Sequence, residues 1–315
     1  MAPTGEGEKE NHSSNALDTG LKLYDMDEEG LTFMKAQTGI EDEEELKKHI
    51  LAIRAEGYSI FPYHCIMRFA FLQLRLARLP AYNQLLALGT ERKDAIFLDI
   101  GCCFGYDVRK AINDGFPIGS VIAADLHPEF WELGHKLFKS TPETFPVPFL
   151  PGDAFDPVFL EPTAPFTASH PPPAPRPDLS TRTLTALNPL RGHVSAIHAS
   201  AFFHLFDEER QAQLARSLAC LLSPEPGSML IGGHRGLPEA GVWTDGRWRR
   251  AGEDGTVRFG HSPESWAALW DGQVFEKGTV RVEAVLREVE RAPDVAGAES
   301  GDTKSYNLCW SVTRL

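Results

Sequence analysis

Apolar residues fall into two patterns along the chain. Short, mainly apolar runs without helical period occupy 95–98, 120–125, 145–150, 193–200, 228–231 and 308–315. Between 279 and 290 the apolar positions alternate instead, with Val280, Val282, Ala284 and Leu286 on one face. These seven segments predict strands. Helical spacing predicts helices over 41–55, 80–89, 106–112, 127–138, 208–222 and 262–270. Buried strands interleaved with helices predict an open α/β sheet.

Local signals punctuate the helices. Acidic residues 42–45 suit a helix start, and Gly57 is expected to end that helix. Pro128 suits a first turn, Asp207 an N-cap, and Ser262 with Pro263 an N-cap and N1 pair. Ile66, Phe69, Leu72, Leu76 and Leu79 repeat at helical spacing and predict a packed stripe. Leu184 to Leu190 predicts one or two helical turns, and His135 is expected on an exposed helix face. The organisation expected is a disordered polar tail over 1–20, an N-terminal helical cap over 21–94 and a main domain over 95–315. Residues 157–180 form a proline-rich insertion, expected to be extended, weakly anchored and dispensable for folding.

The chemistry concentrates where strands end. The first core strand leads into Asp99-Ile-Gly-Cys-Cys-Phe-Gly105 and then a helix. Ligands sit over such strand–turn–helix units, and Gly101 lets a ligand approach the backbone. The spacing Asp-x-Gly-x-Cys-x-Gly departs from the dinucleotide fingerprint Gly-x-Gly-x-x-Gly. The second strand ends at Asp125, about 20 residues beyond the turn, where an acid meets a ribose. The third leads to Asp153 and Ala154.

This constellation resembles the class I S-adenosylmethionine (SAM)-dependent methyltransferases, with Cys103 in place of the middle glycine of motif I. The resemblance implies a seven-stranded Rossmann-like sheet with the N-terminal helical cap beside it. It implies SAM as cofactor, held by Asp99, Gly101, Cys103, Gly105, Asp125, Leu126, Asp153, Ala154 and His198. Asp153 would meet the adenine amino group and the Ala154 amide its ring. Further motifs narrow the match: Tyr63-x-Cys65-Ile-x-Arg68-Phe, Ala124-Asp-Leu126, Ile197-His-Ala-Ser200, Phe203-His-Leu-Phe206 and His261-x-x-Glu264-Ser-Trp266. As a set they resemble fungal methyltransferases of meroterpenoid and related secondary-metabolite pathways. That resemblance implies methyl transfer to an oxygen, carboxylate or hydroxyl, of a small hydrophobic terpenoid, meroterpenoid or polyketide.

A hydroxyl acceptor would need a general base, for which His204 is the candidate; an ionised carboxylate would need none. Among the aromatic residues, Tyr63, Phe203 and Trp266 are the expected pocket walls, with Phe202, Trp243 and Trp248 as further candidates. His193, His198 and His204 lack companion acids, so no metal site is expected. Because fold alone does not prove chemistry, a SAM-binding but non-catalytic regulatory or partner subunit is the alternative reading.

The net charge of −13 and the lack of a basic patch argue against nucleic acid as partner. No apolar run is long enough for a transmembrane segment. Five cysteines without a pairing framework point to reduced thiols and a cytoplasmic setting. The oligomeric state stays open, a homodimer being one option.

Overall fold

The computed structural model describes residue 24 and residues 26–179, 183–243, 257–289 and 304–315. The expected tail over 1–20, Trp248 and most of the polar loop before the last strand lie outside the described residues. Seven strands form one sheet: β1 (Phe97–Ile100), β2 (Val121–Asp125), β3 (Phe149–Pro151), β4 (Ala196–His198), β5 (Met229–Gly236), β8 (Val280–Val289) and β9 (Ser305–Arg314). Their order is β3-β2-β1-β4-β5-β9-β8. The first five pair in parallel, and β9 runs antiparallel to both β5 and β8. A separate two-stranded ribbon joins β6 (Gly241–Val242) to β7 (Phe259–Gly260). The order reverses between β1 and β4, so the C-terminal ends of these strands face the crevice where ligands bind such sheets.

Strand residues divide by parity between two cores. Ile96, Leu98, Ile100, Ile197 and Leu230 pack on one face with helices α7 (Glu208–Leu221) and α8 (Pro263–Trp270). Phe97, Val121, Ala123, Ala196 and Ile231 pack on the other with α4 (Tyr82–Glu91) and α5 (Tyr106–Asn113). The N-terminal cap, α1 (Glu28–Thr38), α2 (Glu43–Ile60) and α3 (His64–Met67), packs on α6 (Pro128–Leu137) in a third cluster with Phe104 and Tyr106. The cap signals are realised: Asp207 accepts from Arg210 N, and Ser262 and Ser265 make a reciprocal capping box around Pro263.

Several expectations are corrected. Helix α2 runs through Gly57 to Ile60. Gly57 is there for packing, since a Cβ would lie 2.8 Å from Cζ of Phe104. Ile66, Phe69, Leu72, Leu76 and Leu79 are all buried as expected, but not on one helix. Phe69 takes φ 54°, breaking the segment into α3 and two short 3-10 turns. Strand β3 is shorter than the apolar run because Pro146 and Pro148 remove ladder donors. His135 is buried: its ring stands edge-on to Trp131 and Phe145, and Nδ1 lies 3.0 Å from Ser140 Oγ.

The proline-rich insertion is tied to the domain. Phe159, Leu160 and Leu179 are buried in the core. Arg314 donates to the Phe166 carbonyl at 2.6 Å, and His193 Nε2 to the Ala174 carbonyl at 3.0 Å. Proline there shapes the backbone while the occasional aromatic or leucine anchors it, which composition alone concealed.

Candidate active site

The turn after β1 has three left-handed residues: Gly101 (φ 73°), Cys103 (φ 51°) and Gly105 (φ 71°). A Cβ on Gly105 would lie 2.6 Å from Trp131, so that position needs glycine. Gly101 is different. A Cβ there would be in ordinary van der Waals contact with the Phe202 side chain at 3.6 Å, so no clash demands glycine; its positive φ does. Cys103 accepts the left-handed strain, and its N–H donates to Asp125 Oδ2 at 2.8 Å. Asp125 Oδ1 accepts from His127 N at 3.1 Å. Each oxygen thus keeps a lone pair for a further donor. Burial raises the Asp125 pKa, while the two backbone N–H groups and His127 oppose that shift.

Between β1 and β4, Asp99 and His198 are register partners. Asp99 Oδ1 lies 2.8 Å from His198 Nδ1, and both side chains are buried. His198 Nε2 lies 2.7 Å from Ser200 Oγ, which also accepts from Gly233 N at 3.2 Å. Burial works against a charge on His198, but neighbouring Asp99 outweighs it and the imidazole pKa is raised. Both ring nitrogens are therefore engaged by the protein rather than left for a cofactor.

The other expected residues are distributed around this centre. Asp153 is exposed and accepts from Phe155 N at 2.9 Å, whereas Ala154 is buried. Leu126 is 53% exposed at the rim. Tyr63 stands beside Asp125, its hydroxyl 3.5 Å from His127 Nε2; burial and the Asp125 charge push its phenol pKa up. Phe203 and Trp266 are fully buried, their ring centroids 4.9 Å apart within a cluster containing Trp270 and Trp310. They support the site from beneath. The half-buried aromatics nearer the strand ends are Phe155, Phe202 and Phe206, with Phe155 and Phe206 at 4.8 Å.

His204 is buried, its ring 6.4 Å from His234. Burial drives its pKa well below the ordinary imidazole value, reinforced by His234, Arg258, Arg75 and Arg235. Arg75 and Arg235 were missed by the sequence reading. Their available signal was a charge inside an apolar stretch: Arg75 interrupts the cap stripe, and Arg235 follows Gly232-Gly-His in β5.

The strand order, the left-handed glycine turn and the acid ending β2 are those of a class I methyltransferase, and the residues present fit SAM as its cofactor. Residues 21–72 match the meroterpenoid methyltransferase N-terminal domain. Over 247 residues the chain is 32% identical to the O-methyltransferase phiE of Fungal sp. (strain ATCC 74256), covering 78% of this chain and 71% of that protein. It is 28% identical over 270 residues to the Asnovolin E/Chermesin D methyltransferase nvfJ of Aspergillus novofumigatus, covering 86% and 83%. A SAM-dependent methyltransferase structure from Mesorhizobium loti shares 16% identity at a TM-score of 0.40, covering 76% of this chain and 100% of that one. The chain belongs to the O-methyltransferases of fungal secondary metabolism. It is a SAM-dependent enzyme, which sets aside the non-catalytic reading.

Proposed function

We propose that the reaction forms a methyl ester on a carboxylate of a small hydrophobic metabolite of terpenoid, meroterpenoid or polyketide type. The carrying observation is the electrostatic setting of His204. Burial is the largest influence on it, and its neighbours are one imidazole and the guanidinium groups of Arg258, Arg75 and Arg235. Such a histidine is neutral but a poor proton acceptor, which disfavours a hydroxyl that must be deprotonated. A carboxyl with a pKa near about 4 arrives ionised, and guanidinium groups offset its desolvation.

When bound, SAM supplies an activated methyl group on a sulfonium sulfur. The chain's task is to hold and orient the acceptor and to exclude water. In this reading Asp125 holds the ribose, and the backbone at Gly101 lets the ligand approach. Asp153 and Ala154 flank the adenine. Phe155, Phe202 and Phe206 wall the acceptor's apolar body, and Arg75 and Arg235 attract its carboxylate. Tyr63 lines the nucleoside side.

A cytosolic setting belongs to the same proposal, supported by five free cysteines. Among the described residues no helix is long and apolar enough to cross a membrane. The test is a panel of hydrophobic acids, each paired with the alcohol of the same skeleton, incubated with SAM. Turnover of acids and not their alcohols is expected; turnover confined to alcohols or phenols would overturn the proposal.

A further inference from the structure

We propose that Ser200 donates its hydroxyl proton to the carboxylate at the methionyl end of the cofactor, and that His198 sets the direction of that proton. The proposal rests on SAM as cofactor and adds a residue that never touches the reacting atoms. Its basis is the chain of contacts Asp99, His198, Ser200 and Gly233 N across the ends of β1, β4 and β5.

The proton positions follow from what each atom can do. Ionised Asp99 only accepts, so His198 Nδ1 carries a hydrogen. Gly233 N–H donates to Ser200 Oγ. If His198 Nε2 also carries a hydrogen, Ser200 accepts twice within the protein and its own proton is free for a ligand. If Nε2 is bare, Ser200 donates to it and presents only a lone pair outward. An imidazolium therefore turns Ser200 into an anion-facing donor, and a neutral imidazole withdraws it.

The groups facing His198 set this balance. Asp99 on β1 and Asp107 on α5 favour its charged form, whereas burial and Arg75 from the cap oppose it. Asp107 is held in place by accepting from Leu76 N at 3.0 Å. The net direction is a raised imidazole pKa, which favours the donor arrangement.

Position identifies the ligand group. A cofactor held with its ribose on Asp125 at the end of β2 and its adenine toward β3 would have its methionyl end over the ends of β1 and β4. Ser200 lies just beyond β4, half-buried, two residues past His198 as Gly101 is two residues past its register partner Asp99, and Phe202 of the same segment abuts Gly101.

The test measures binding of S-adenosylhomocysteine and of 5′-methylthioadenosine, which shares the nucleoside and sulfur but lacks the carboxylate. Ser200→Ala is expected to weaken S-adenosylhomocysteine by about tenfold or more and methylthioadenosine by less than about twofold. Wild-type affinity for S-adenosylhomocysteine should fall as pH rises through the raised imidazole titration of His198. That fall should be smaller in Ser200→Ala and in His198→Gln, with the ligand's own titration cancelled by comparing proteins. Unchanged S-adenosylhomocysteine affinity in Ser200→Ala would overturn the proposal. Equal losses for both ligands would also overturn it, by assigning Ser200 a purely structural role. Failure of wild type to bind either ligand at any pH would instead overturn the cofactor reading on which it rests.

Discussion

Asp125 has one donor on each oxygen and room for one more, which makes it the residue whose loss should be felt most cleanly by the cofactor. If Asp125 holds the ribose hydroxyls as proposed, removing this buried carboxylate should cost about 2–4 kcal/mol. Asp125→Ala should then weaken SAM binding by roughly thirty-fold or more, read by calorimetry on a folded variant. An unchanged dissociation constant would remove Asp125 from the site. The buried histidines make a different prediction. Burial lowers His234 to about 3 and His261 to about 4. Both are neutral when folded, yet unfolded they take up protons below their ordinary value. Their stabilising contribution is therefore present near neutrality and lost as pH falls from about 6.5 toward 4. At pH 5 the loss should be about 2 kcal/mol for each. A melting temperature that held steady from pH 7 to 5 would contradict this. Asp99, Asp125 and Asp153 stand out in the sequence as candidates because each follows an apolar run. The partner of Asp99 does not, because His198 is brought beside it only by strand pairing.

Helix α6 shows how an element is held against the cofactor turn. Gly134 lies on it, and a Cβ there would come 2.3 Å from the Phe104 carbonyl oxygen. Alanine is the better helix former by about 1 kcal/mol, but backbone cannot yield as a flexible side chain would. Gly134→Ala should therefore destabilise by about 1–3 kcal/mol, seen as a lower denaturation midpoint. A stabilised variant would show that the helix shifts freely. The insertion gives the second prediction at this scale. With Phe166 held by Arg314 and Ala174 by His193, replacing 162–177 by a Gly-Ser linker should lower the melting temperature by several degrees. A change within error would mean these contacts contribute nothing net. Apolar periodicity identified the buried residues of the cap but not its broken backbone. A stripe reports burial, whereas the left-handed turn at Phe69 comes from packing against the rest of the cap.

For the molecule as a whole, the sheet was legible because five of its seven strands are short parallel strands, and parallel strands need no alternation. The crevice charge was not. The net charge of −13 conceals arginines drawn from the cap, β5 and the residue preceding β7 toward one histidine. Arg75, Arg235 and Arg258 are remote in sequence, and only the folded chain shows that they act together. In the proposed function they favour an acceptor that brings its own negative charge over a base-assisted hydroxyl. The most direct measurement is transfer of an isotopically labelled methyl group from SAM to a hydrophobic carboxylic acid, followed by mild alkali. Release of the label as methanol, with recovery of the parent acid, is the predicted result. Label retained through alkaline treatment as a stable ether would contradict the account.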